Sequence, residues 1–575
     1  MGIVKIREMM YLCNPKMNVM ARLKYNFTWK KYHRWLGLVL SVFMLVFCVS
    51  GIILNHREVF SGCEVSRKWL PASYHIKNFN NGVVKGTVVK KSAAHSLSSE
   101  NCDSVLAYGC AGVFLTDSRL STWQDFNAGL PESIDERNVR HVVKAKDGSL
   151  WCAALRDVYR YDENSHRWKK VELPGNEERI MDVALAKDSM TVVALTRSRL
   201  FTIVPFVQYG EIVKIGKSSS ETYRVESKII PAPKKYEPKT TLFKLVWHLH
   251  SGEFFGLPGK LVVDAIALVL IVLSITGILL FILPYGIRRA KKLAAKARMK
   301  RLGKQFAWNM KWHNKIGYVT IVLTLWIAIT GMCLRPPLMV PLVLSKLPQT
   351  VGEDGNVWQD KLRAIRWDAV QGDWLVSTSE GFLRVDEDFS QAPKMLPDDE
   401  CPKLSPMGVT VWESDGKGGW IVGSFRGIYR WNPVNHSLNQ ILDYFTGKPS
   451  EETSMIPISD NLVCGYSEDF LGGKPLVFDF AKGVEDAKGQ AVALCNDEPK
   501  TSRNEESMSD LICETAPMSL WNVALELHVG RCYSPFLGPL SDLFVFLSGL
   551  LITLVLLSGY IISHRRRKKA QARLK

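Results

Sequence analysis

Seven histidines of this chain lie within a few turns of a long apolar run: His33, His56, His248, His250, His313, His528 and His564. An imidazole at the edge of a bilayer is costly to place, which makes it a candidate for function. Two neutral imidazoles on facing helices are a natural axial pair for a low-spin b-type haem, tuned by burial and by the bonds of their other nitrogens. A single histidine beside an apolar run is more often an interfacial polar residue, so the case rests on pattern. His33 and His313 each open an apolar run and stand 18 residues before a glycine, Gly51 and Gly331, that follows Ser50 or Thr330. His250 and His528 each sit in a Leu-His-x-Gly segment, 14 residues before Asp264 and Asp542 respectively. Four histidines at repeated offsets make two pairs, His33 with His313 and His250 with His528. Two pairs predict two b haems, one toward each face of a membrane. His56, His248 and His564 rank behind, because their counterparts in the repeat are Pro336, Glu526 and Ile282. Of these, His248 is the best substitute, being two residues from His250.

The elements that must position these rings are four apolar runs near residues 36–54, 261–283, 316–334 and 540–562, each about the 20 residues a bilayer span needs. Charge sets their direction. Residues 1–34, 286–312 and 563–575 together carry a net charge of +24 against +18 for the whole chain. Short basic segments stay in the cytoplasm, so both termini and the middle loop are expected inside. The high pI is then a topology signal and a contact with anionic lipid, and does not argue for nucleic acid. The expected layout is a cytoplasmic N-terminus (1–35), a first span (36–56), a periplasmic segment (57–245), a histidine motif and second span (246–285) and a basic loop (286–312). A third span (313–335), a second periplasmic segment (336–520), a histidine motif and fourth span (521–562) and a cytoplasmic tail (563–575) complete it. The first run has no small-residue cleavage site after it and reads as an uncleaved anchor.

The chain is two copies of one unit, histidine–helix–outside segment–histidine–helix. Both copies start on the same side, so the pseudo-two-fold axis runs along the membrane normal. Gly37, Gly317, Gly51, Gly277, Gly331 and Gly559 allow close helix packing. His250 lies 11 residues before the second run, about 16 Å along a straight helix. A break at 256–259, Gly-Leu-Pro-Gly, is therefore expected to bring it back. Nine cysteines fall in the outside segments, where disulfides are permitted; Cys102 with Cys110 and Cys495 with Cys513 are the near pairs. No CxxC occurs, which excludes c-type haem attachment.

His33-Arg-Trp-Leu-Gly37, the Ser/Thr-Gly at each helix end and the two Leu-His-x-Gly segments resemble the PepSY-associated transmembrane family. That family includes siderophore-iron reductases of the bacterial inner membrane with two b haems, and members of no known activity. The resemblance implies electron transfer to a ferric siderophore or a periplasmic redox partner. No dinucleotide fingerprint is present, so the donor is expected to be quinol, a separate protein or a soluble reductant.

The outside segments depart from that family. Asp147-Gly-Ser-Leu-Trp151, then Val158-Tyr-Arg-Tyr161, and Trp420-Ile-Val-Gly423, then Gly427-Ile-Tyr-Arg-Trp431, repeat a strand–turn–strand rhythm like that of β-propeller blades. About three such units fall in each segment, which makes one propeller of six or seven blades, or two small β domains. Residues 210–240 and 485–515 read as polar loops. The fold expected is thus an α+β membrane protein, a four-helix bundle from a duplication with an all-β periplasmic part. The function expected is a haem-dependent ferric reductase of the inner membrane. The alternatives are a propeller-based sensor, disfavoured by the lack of an output domain, and an iron- or haem-uptake accessory protein.

Overall fold

The computed structural model describes residues 15–91, 104–118, 122–205, 207–208, 211–212, 223–351, 354–404, 408–424, 427–440, 462–470, 473–486, 512 and 516–572. They form two compact units. One comprises Met1–Phe60, Lys239–Leu347 and Trp521–Lys575, the other Ser61–Pro238 and Pro348–Leu520.

The first unit is helical. Its main elements are α1 (Pro15–Asn55), α2 (Leu242–Ser251), α3 (Gly256–Lys292), α4 (Lys296–Val319), α5 (Ile321–Cys333), α6 (Leu520–His528) and α7 (Ser541–Gln571). Three stretches, Trp29–Asn55, Glu253–Lys292 and Arg531–Gln571, are long and apolar enough to cross a membrane. The run expected as one straight third span is instead broken at Thr320, where α4 and α5 meet at 69°. The hydroxyls of Thr320 and Thr324 both bond back to carbonyls four residues earlier, an arrangement that bends helices. A core of Cys48, Ile266 and Leu270, with Met44, Trp326, Ile327 and Leu556 against it, joins α1, α3, α5 and α7. Leu268, Ile275, Ile329, Leu547 and Leu554 point outward and are exposed, as side chains that meet lipid must be.

The break before α3 lies earlier than 256–259. Thr241 caps α2 by accepting from Lys244 N–H, and the helix stops at Gly252, whose φ is +78°. A Cβ there would fall 2.3 Å from the carbonyl oxygen of Gly259, so the two backbones touch. The stretch 256–259 is the first turn of α3, where Pro258 is tolerated. Gly530, with φ +87°, ends the helix after His528 in the same way.

The second unit consists mainly of six antiparallel sheets, each running in chain order. Three come from each outside segment, matching the count of repeated strand runs. The first three begin with strands Gly86–Lys91, His141–Lys144 and Ile180–Leu185, and the second three with Leu362–Asp368, Val411–Ser414 and Val463–Ser467. The inner strands of the sheets are buried on both faces, and Trp151, Tyr161, Trp168 and Trp431 lie in the sheet cores. Each sheet shares a hydrophobic core with the next, and the sixth shares one with the first. Tyr223–Lys228, inside a stretch expected to be loop, is the outer strand of the third sheet. Cys102, Cys495 and Cys513 lie outside the described residues, and Cys110 is a free thiol.

A buried ionic cluster ties four first strands together. Asp182 accepts from Arg366 Nη1 at 2.6 Å and from the backbone N–H of Ile365, and lies 3.1 Å from His141 Nδ1. Arg366 Nε donates to the carbonyl of Trp412 at 3.0 Å. Burial alone would raise the Asp182 carboxyl, but the Arg366 guanidinium and His141 hold it down at about 2. On the neighbouring first strand, burial raises the Glu413 carboxyl, and His141 and Arg366 offset this only in part.

Candidate functional site

The helical unit brings the four symmetric histidines together in the two pairs that the repeat implies. The rings of His33 and His313 are 6.4 Å apart between centroids, and those of His250 and His528 are 6.1 Å apart. The ring of His528 lies against Gly51 of α1, 18 residues beyond His33, so the pairs stand about 27 Å apart along that helix. That is close to the thickness of the hydrocarbon layer.

Each ring is seated by a Ser/Thr-Gly dipeptide of the other copy. His33 Nδ1 bonds Ser558 Oγ at 2.8 Å and His313 Nδ1 bonds Thr276 Oγ1 at 2.9 Å. His250 Nδ1 bonds Thr330 Oγ1 at 3.0 Å and His528 Nδ1 bonds Ser50 Oγ at 2.9 Å. A hydroxyl has one proton to give. Ser50, Thr276 and Thr330 give theirs to the carbonyl four residues back, and Ser558 to that of Val555. They must therefore accept from the imidazole, so Nδ1 carries the proton. Two carbonyls, which can only accept, say the same: Val555 O lies 3.1 Å from His33 Nδ1 and Phe47 O lies 3.1 Å from His528 Nδ1. With Nδ1 protonated in a neutral ring, Nε2 keeps a lone pair, the form in which imidazole binds metal.

The glycine of each dipeptide leaves room for the ring. A Cβ at Gly331 would lie 2.8 Å from His250 Cε1, and one at Gly559 2.9 Å from His33 Cε1. Gly331→Ala is expected to push the His250 ring from its seat and lower stability by about 1–3 kcal/mol, the usual cost of overpacking. A thermal unfolding midpoint no lower than that of the parent chain would contradict this.

The separations bear on chemistry. A metal–imidazole bond is about 2 Å and the ring centre lies ~1.1 Å behind its nitrogen, so two imidazoles across one ion stand about 6 Å apart. A bare ion takes four or more protein or water ligands. Among the described residues no cluster of three or more His, Cys, Asp or Glu could hold one. Two facing imidazoles suit a metal whose other positions are already filled.

The remaining candidates sit elsewhere. His56 Nε2 is 2.6 Å from Asp264 Oδ2, with Asn55 donating to Oδ1, so that ring nitrogen is engaged by a carboxylate. His564 stacks on Tyr318 and Tyr560. His248 lies beside Trp247 on α2. Sequence spacing singled out the Ser/Thr-Gly dipeptides as packing sites but missed their hydrogen bonds to the rings. The signal was present in the Ser or Thr that precedes a glycine at all four places.

Two stretches, residues 16–283 and 281–567, match the sequence profile of the PepSY-associated TM region, one for each copy of the repeat. No curated protein matches the chain. Among solved structures, the extracellular domain of a B. thetaiotaomicron protein described as a one component system aligns at 11% identity with a TM-score of 0.31. That alignment covers 70% of this chain and 32% of the other. A second, from a hybrid two component system of the same organism, aligns at 10% identity with a TM-score of 0.30, over 72% of this chain and 39% of the other. The chain thus spans about a third of the length of those structures. With both halves matched and the motif histidines paired across the copies, the chain is a membrane protein that belongs to the PepSY-associated TM region family.

Proposed function

We propose that this protein is a two-haem membrane oxidoreductase that moves electrons from one face of a bacterial inner membrane to the other. The observation that carries this reading is the fourfold seat. Four rings carry their proton on Nδ1 and keep the Nε2 lone pair, in two pairs at 6.4 and 6.1 Å. A b-type haem fills four positions of its iron itself and needs two axial imidazoles, and when bound it supplies a one-electron couple. His33 and His313 would hold one and His250 and His528 the other. The residues of the chain orient the rings, keep them neutral and exclude water with the apolar layer of Cys48, Ile266 and Leu270.

In this reading the basic segments face the cytoplasm, which places the His250–His528 pair at the periplasmic side. The acceptor is an iron(III) chelate of the siderophore class or a docked redox protein. An iron(III) chelate takes one electron and becomes iron(II), with no proton required. The donor is a quinol or another reductant reaching the cytoplasmic pair. The choice of an iron acceptor rests on the family likeness. The six sheets, each sharing a core with its neighbour and the sixth with the first, are read as six blades of one propeller.

The test is the absorbance spectrum of the detergent-purified chain, oxidised and dithionite-reduced, with a pyridine haemochrome count. About two b haems per chain are expected. No haem in protein from haem-replete cells sinks the proposal. Thr330→Val is expected to weaken retention at the His250 site by about 10–100-fold, the range for losing an outer-shell partner, and to leave the other site unchanged. A haem-transfer assay to an apoprotein acceptor reads this directly.

A further inference from the structure

The two copies are alike at their histidines but differ one turn beyond the second pair. In the first copy Asn55 donates to Asp264 Oδ1 at 3.1 Å and His56 closes on the other oxygen, so this carboxylate is satisfied within the chain. The position matching Asn55 is Arg335, 280 residues on. It does not repeat the arrangement. Arg335 Nη2 donates to the carbonyl of Val529, the residue after His528. Its Nε is buried and has no hydrogen-bond partner, and no carboxylate is ion-paired with it among the described residues. Two carboxylates act on it without closing an ion pair among the described residues: Asp542, the counterpart of Asp264, and Glu526, which accepts from Arg531 Nε at 2.9 Å.

A guanidinium is always charged and presents five donors in a fork shaped for an oxyanion. Leaving a buried donor of that kind unmet is destabilising. Its place bears on what would meet it. Arg335 follows, by one helical turn, the Gly331 on which the His250 ring rests, and its other end holds the backbone next to His528. The fork thus stands beside both rings of the second pair. A b-type haem has carboxylate side chains at its edge.

Building on the two-haem reading, we infer that Arg335 is an anion-binding residue that holds a carboxylate of the haem carried by His250 and His528. The same pair has no second arginine, because the matching position on its other side, Asn55, is spent on Asp264. Arg335 is a positioning and tuning residue. A positive charge beside the haem favours the reduced state, so the second haem is held at a higher midpoint potential than it would otherwise have.

The experiment is a spectroelectrochemical titration of the full-length chain in detergent, comparing the parent, Arg335→Gln, Arg335→Lys and His528→Ala, the last to identify which wave belongs to the second haem. Arg335→Gln is expected to keep both haems and lower that wave by about tenfold in equilibrium constant, 59 mV for one electron. Arg335→Lys keeps the charge and loses the fork, and is expected to lower it by about a third of that factor. If the Gln variant does not accumulate, the Lys variant decides alone. Two haems with both waves unmoved overturns the inference and leaves the two-haem reading intact. If instead the Gln variant loses a co-purified anionic lipid while both waves stay, the oxyanion is a lipid phosphate and the assignment to haem is wrong. A parent chain without haem overturns both.

Discussion

His528→Ala is expected to take the haem content of the purified chain from about two to about one and to stop electron flow across the membrane. In the proposed reading this ring would be one of two imidazoles that hold the haem, and its partner His250 is seated independently on Thr330 and Gly331. The first pair has its own dipeptides, Ser558-Gly559 and Thr276-Gly277, and should keep its haem. The loss leaves a gap of about 27 Å between the remaining centre and the far face. Reduction of an external iron(III) chelate by the chain in sealed vesicles should fall by more than the roughly 100-fold upper range for outer-shell losses. His33→Ala is expected to give the mirror result, one haem kept at the other site. Two intact haems in either variant would remove that histidine from the ligand set.

The second large effect concerns stability. Asp182→Ala is expected to destabilise the sheet unit by about 3–5 kcal/mol, because it leaves the Arg366 guanidinium buried without its carboxylate. The side chain of Asp182 is only 5% exposed, so solvent screens little of this. Acid should act on the parent chain through the same group. The folded carboxyl titrates at about 2, against about 3.9 when unfolded. Its contribution, about 3 kcal/mol, is therefore complete above pH ~4 and is lost as pH falls toward 2. Asp182→Asn should be less stable at neutral pH and should lose this part of the acid dependence. Urea unfolding followed by tryptophan fluorescence at pH 7 and pH 3 checks both. Equal midpoints for the parent and Asp182→Asn at pH 7 would falsify the role given to this pair.

Much of the helical site was legible in the sequence because its repeat is local. His33 to Gly51 and His313 to Gly331 have the same spacing, and a membrane span allows only one structure to carry it. Spacing within one helix does not say which helix lies opposite, so the bond from His33 to Ser558, 525 residues away, was out of reach. The bend at Thr320 was hidden for a different reason: the run is uniformly apolar, and hydropathy does not register a hydroxyl that bonds its own backbone. The strand Tyr223–Lys228 was missed because it is an outer strand with little to bury, so its residues look like a loop. The cluster of His141, Asp182 and Arg366 draws one residue from each of three sheets and leaves no periodic mark. Arg335 and Asn55 show that a copy can be read by its departures as well as its repeats.

Each of the four paired histidines is seated on a dipeptide of the other copy: His33 and His250 on Ser558-Gly559 and Thr330-Gly331, His313 and His528 on Thr276-Gly277 and Ser50-Gly51. One copy cannot complete either pair by itself. Two identical units of this kind would complete both pairs only as a homodimer, each trading rings and seats with its twin. Two copies in one chain keep the exchange without the obligation to be identical. An arginine could then replace an asparagine on one side alone, a change that a symmetric dimer must accept twice or not at all.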